Sequence, residues 1–118
     1  MAADPGSLTL EAWLAGRLEG APAELAEAVW PLVRGRLEDG EDGLVHAALD
    51  ALATVADGEA DRSEAVTLLA ADAILTYALE AAAEPALGGS AARARRLADR
   101  TGPHGLIGEY FGAQEEAK

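Results

Sequence analysis

The chain contains no cysteine. That excludes a disulfide framework, a thiolate metal site and a cysteine nucleophile. It has two histidines, His46 and His104, too few for a typical zinc site without carboxylate help. Aromatic residues make up only 4% of the sequence. Basic residues are scarce: 9 Lys and Arg stand against 21 Asp and Glu, for a net charge of −12. A chain this acidic is repelled by DNA, RNA and anionic membrane surfaces, which argues against nucleic acid as a partner. No apolar run approaches the roughly 20 residues of a membrane span. The N-terminus, Met1-Ala2-Ala3-Asp4-Pro5, lacks the positive region and apolar stretch of a signal peptide. The expected location is cytoplasmic. No Gly-x-Ser-x-Gly elbow, P-loop or dinucleotide fingerprint occurs.

Half of the 118 residues are hydrophobic and alanine dominates. Alanine is the best helix former and a poor strand former, so the composition favours closely packed helices. The length suits one domain, residues 1–118, with a single core. The expected architecture is all-α, an orthogonal or antiparallel bundle of about six helices. Ser7 can cap a helix running to about Glu19, with Leu10, Trp13, Leu14 and Leu18 on one stripe. Pro22 suits the first turn of a second helix carrying Leu25, Val29, Leu32, Val33 and Leu37, kinked at Pro31. Residues 38–43 read as a solvated acidic turn, and a third helix follows from about Leu44 to Ala56. A long central helix is expected from about Asp61 to Glu84, stopped by Pro85. Ser90 can cap a fifth helix to about Arg100, and after Gly102-Pro103 a sixth is expected over about Gly105–Glu116.

The central helix carries Leu68-Leu69-Ala70-Ala71-Asp72-Ala73-Ile74-Leu75, apolar nearly all the way round. Such a helix belongs inside a bundle. A carboxylate buried there is costly unless it is paired or binds something. Asp72 is therefore either a satisfied structural residue, with Arg62, Thr76 or His104 as partner, or the relic of a site. His46 and Asp50 are one helical turn apart and read as a hydrogen-bonded pair. Arg93, Arg96 and Arg100 share one helix face, suited to an anion or a partner or else paired with nearby carboxylates. Asp57, Asp61 and Asp72 fall on one face and offer a magnesium site for a phosphorylated substrate.

Two segments together resemble the trans-isoprenyl diphosphate synthase family. Leu69-Ala70-Ala71-Asp72-Ala73-Ile74-Leu75 is similar to that family's Leu-Ala-Gly-Asp-Ala-Leu-Leu helix, with Ala71 in the place of Gly. Gly102-Pro103-His104-Gly105-Leu106-Ile107-Gly108 is similar to its Gly-x-x-Gly-Met-x-Gly-Gly-Gln stretch. The order and separation of the two also match. The family's two aspartate-rich motifs are missing. Where the first belongs, the chain reads Leu49-Asp50-Ala51-Leu52-Ala53-Thr54-Val55-Ala56-Asp57-Gly58. Prenyl transfer needs metal ions to neutralise the leaving diphosphate, so the resemblance implies a relative that is not an enzyme on its own.

What the resemblance implies is an isoprenoid-synthase-like fold and the role of small subunit in a heterodimeric polyprenyl diphosphate synthase. The partner is then a catalytic synthase subunit, and Mg2+ enters only through that partner, with no metal site in this chain. Expected contacts to the partner or the growing prenyl chain are Leu68, Asp72, Leu75, Tyr77, Leu106, Ile107, Tyr110 and Phe111. The alternative is a stand-alone helical module, a homodimer, that binds an apolar ligand or a partner helix.

Overall fold

Short polar side chains set where the helices begin. The computed structural model describes residues 8–56, 58, 61–102 and 105–109. Thr9 caps α1 (Leu10–Glu19), its hydroxyl accepting from the Ala12 N–H at 3.1 Å. Asp61 caps α4 (Arg62–Ala83) by accepting from Glu64 N–H at 2.9 Å, and Ser90 caps α5 (Ala91–Thr101) by accepting from Arg93 N–H at 3.1 Å. Each such cap stabilises its helix by about 1 kcal/mol. Between them lie α2 (Ala23–Val33) and α3 (Gly40–Ala56), with 3-10 turns at Leu37–Asp39 and Pro85–Leu87. Among the described residues the protein is all-helical, with five α-helices and no strand. Residues 106–109 begin one further helical turn; the rest of the expected sixth helix lies outside the described residues, as does Ser7.

Three boundaries differ from the sequence expectation, the first being that Thr9 and not Ser7 caps α1. Helix α2 stops at Val33 instead of running kinked to Leu37. Pro31 has no N–H to give the preceding turn, and within four residues Arg34 turns extended and Gly35 takes φ 80°. Helix α3 starts at Gly40, so Glu41 and Asp42 form its first turn. Carboxylates are favoured there by the positive end of the helix dipole. Gly43 in the same turn is buried because the α2–α3 connection passes directly over it. A Cβ at Gly43 would sit 1.9 Å from the Arg36 carbonyl oxygen.

Helix α4 is the hub, packing against α2, α3 and α5. With only residues 57–61 between them, α3 and α4 form a helical hairpin. The buried residues of the two helices are mostly small: Ala47, Ala48 and Ala51 beside Leu44 and Val45 on α3, and Ala70, Ala71, Ala78, Ala81 and Ala82 beside Ile74 on α4. Trp13 and Leu14 of α1, Val29 and Val33 of α2, and Leu97 of α5 complete the core.

The apolar stretch of α4 is therefore not buried all round. Leu68 is 48%, Leu69 61% and Leu79 39% exposed, and Asp72 lies on the same open side. Alanine permits the closer approach of backbones, so α4 turns its alanines inward and leaves its leucines outside. By length and composition α4 could also cross a membrane, with an 18-residue window of mean hydropathy 1.5. That corrects the expectation that no apolar run reaches such a length. A third of this window, 33%, is buried against the other helices.

Ile74→Ala should cost about 3 kcal/mol in urea unfolding, whereas Leu69→Gln, on the opposite side of the helix, should change stability by less than about 0.5 kcal/mol. Equal losses would mean that the faces of α4 are assigned the wrong way round.

Candidate functional site

On the open face of α4, Asp72 sits among leucines. Asp72 is exposed, and no hydrogen bond or ion pair reaches its carboxylate among the described residues. The partners expected for it are engaged elsewhere. Arg62 donates to Glu24 at 2.9 and 3.2 Å, tying α4 to α2. Thr76 turns its hydroxyl back to the Asp72 backbone carbonyl at 3.1 Å. His104 lies outside the described residues. Asp72 is thus exposed and has no partner among the described residues.

Beside this face, α3, α4 and α5 line a half-open cavity of about 280 Å³. Val45, Leu75, Leu79, Leu97 and Ile107 give it apolar walls, and Asp72 stands in its lining. Thr101, the last residue of α5, also lines it and is 7% exposed. Its hydroxyl is buried without a partner among the described residues. Gly105 brings the chain back beneath α5 at this point. A Cβ there would lie 1.8 Å from the Arg100 carbonyl oxygen, so only glycine lets residues 106–109 close the cavity.

Of the residues expected to touch a partner or a prenyl chain, Leu68, Asp72 and Leu75 lie on or beside the open face, and Leu75 and Ile107 line the cavity. Leu106 is half-buried against the core. Tyr77 faces the other way, its ring edge-on to Trp13 with centroids 6.5 Å apart and an interplanar angle of 87°. Arg17 stacks over the same Trp13, 5.0 Å from the ring centroid, and lies 3.1 Å from Glu80. Tyr77 thus fastens α4 to α1 and does not reach the open face. Tyr110 and Phe111 lie outside the described residues.

The arginine face of α5 is largely taken up inside the molecule. Arg93 grips Glu41 with two bonds, at 2.5 Å from Nε and 3.0 Å from Nη2, and Arg100 pairs with Asp42 at 3.2 Å. Glu41 and Asp42 thus clasp α3 to α5, while Glu38, Asp39 and Asp42 keep the exposure expected of a solvated acidic turn. Arg96, in the lining beside them, has no ion-pair partner among the described residues. Burial pushes the Glu41 carboxyl up, but the Arg93 hydrogen bond, a backbone bond and the charges of Arg93 and Arg100 together hold it below its ordinary value.

The remaining carboxylates do not assemble. Asp50 pairs with Arg36, not with His46. Asp61 and Asp72 share a face but stand about 16 Å apart along the axis. Asp57 lies outside the described residues. Among the described residues no three His, Asp or Glu side chains are placed to hold a metal ion. Comparison with protein-family models, with curated proteins and with solved structures gave no match.

Sequence reasoning missed the cavity, because Thr101 and Val45 look like ordinary helical residues. The signal that was present is the glycine at 105, since a glycine one turn past a helix end marks a close backbone approach.

Asp72→Asn should leave stability within about 0.5 kcal/mol of wild type. A larger drop on urea unfolding would mean that the carboxylate is paired in the fold. Glu41→Gln should destabilise by about 1 kcal/mol near neutral pH, the charged bond being discounted because Arg93 is half exposed. Because the folded Glu41 pKa is lowered, its contribution is present above about pH 4.5 and is lost as pH falls through the folded value. The gap between wild type and Glu41→Gln should therefore close in acid; a constant gap from pH 7 to pH 3 would refute the clasp's ionic origin.

Proposed function

We propose that the protein is a non-catalytic accessory subunit of a heterodimeric polyprenyl diphosphate synthase, docking on a catalytic subunit and helping to set prenyl chain length. The observation that carries this reading is the meeting of the two segments on which the family resemblance rests. Asp72 and Leu75 of the first and Gly102 and Ile107 of the second line one cavity, although a whole helix and its turns separate them in sequence.

The open leucine face of α4 supports the same reading. Contiguous apolar surface is what a subunit presents to a partner. In this reading Leu68, Leu69 and Leu79 lie against the catalytic subunit, and Leu75 and Ile107 contribute a wall near the growing chain. Magnesium is held by the partner's aspartates and diphosphate, as the chemistry of the leaving group requires. An isoprenoid-synthase-like arrangement of the helices belongs to the same proposal. The homodimer reading gains nothing from the face, because Asp72 sits in the middle of it.

A tagged pull-down from the native host, with mass spectrometry of what is recovered in equal amount, tests the proposal. The expected outcome is a full-length prenyl synthase carrying both aspartate-rich motifs. The double variant Leu68→Gln/Leu69→Gln should lower its recovery about tenfold while remaining folded, since both side chains are exposed. Recovery of the protein alone, as a stable monomer or homodimer, would overturn the reading.

A further inference from the structure

The open face of α4 is defined by angle as well as by exposure. At about 100° per residue, Ala65, Leu68, Leu69, Leu75, Thr76 and Leu79 all fall within about 60° of Asp72. The carboxylate is thus the centre of the face, not its rim. Thr76 adds no free polar group, since its hydroxyl is bonded to the helix's own backbone. The basic residue of α4, Arg62, is tied to Glu24. On α5, Arg93 and Arg100 are held by Glu41 and Asp42.

We propose that this face receives an amphipathic helix of a partner protein that carries a lysine or arginine among its apolar anchors, opposite Asp72. The inference rests on the reading above that the chain works by docking. The argument is one of charge. A wholly apolar helix laid on the face would strip water from Asp72 and leave it unpaired, which is costly. A cation at that point removes the cost, and a single polar position in an apolar seam is a known means of fixing partner and register. A second copy of this chain fits badly, because each copy brings a net charge of −12 and another Asp72. The cavity beside the seam, walled by Leu75 and Leu79, offers one pocket for an anchor side chain, as helix-in-groove recognition uses.

The test uses the full chain and three designed amphipathic peptides with identical leucine anchors, differing only at the central position of the apolar face: Lys, Gln or Glu. Fluorescence anisotropy should show the Lys peptide binding about fivefold tighter than the Gln peptide, and the Glu peptide weakest. The preference should shrink in 1 M salt. It should vanish in Asp72→Asn, which still binds the Gln peptide, and reverse in Asp72→Lys.

Equal affinities of the Lys and Gln peptides for wild type, or a preference that survives in Asp72→Asn, would overturn the proposal. So would binding that appears only after Tyr110→Ser/Phe111→Ser, which would give the face to the chain's own C-terminal residues. A wild-type homodimer that Leu69→Gln dissociates would assign the face to a second copy and overturn it too, as would failure of all three peptides to bind either protein. Recovery of a prenyl synthase in the pull-down alongside equal peptide affinities sinks this inference alone. The Lys preference without a synthase sinks the subunit reading alone.

Discussion

The close contact of α3 with α4 through alanine is the constraint on which the rest of the molecule depends. Ala47, Ala48 and Ala51 meet Ala70, Ala71 and Ala78 with Ile74 among them. Alanine has no side-chain rotamers to freeze, so burying it costs little conformational entropy, while its dispersion contacts are retained at close range. The leucines at 68, 69 and 79 lie on the opposite, exposed side of α4.

That arrangement explains where the sequence was legible and where it was not. The caps at Asp61 and Ser90, the stop after Glu84 and the all-helical class can be read from residue type alone, because each depends on local backbone chemistry. The orientation of α4 cannot. Ala and Leu are both apolar, and an all-round apolar pattern carries no information on which side faces in. The error about Asp72 followed from this: it was placed inside because its neighbours are apolar, and it lies outside because those neighbours lie outside with it. The packing of Tyr77 on Trp13 was hidden for a related reason, since the two are far apart in sequence. The charge pairs Glu41–Arg93 and Asp42–Arg100 were visible as two runs of opposite sign, but not as a pair.

The site has the same character. Its parts are a carboxylate that nothing in the described fold satisfies, leucines around it, and a small cavity with a buried hydroxyl. The proposed docking reading rests on the leucines and the carboxylate of this face. The glycine at 105 matters here for a mechanical reason. It lets the chain fold back under α5 and supply Ile107 to the cavity wall, joining the two halves of the resemblance in space.

Helix α5 is fastened differently from the rest. It buries only Leu97 and Thr101, so its hold on α3 depends on the two arginine–carboxylate pairs more than on apolar area. Segments held by few buried contacts open on their own, below the cost of global unfolding. The amide protons of α5 should then exchange with solvent well before those of α4, and sooner still as salt screens the clasp. Because α5 forms one wall of the cavity, each such opening would widen the cavity beside Asp72. The side of the molecule that carries the cavity is thus fastened partly by charge, and that part of its fastening weakens as salt rises.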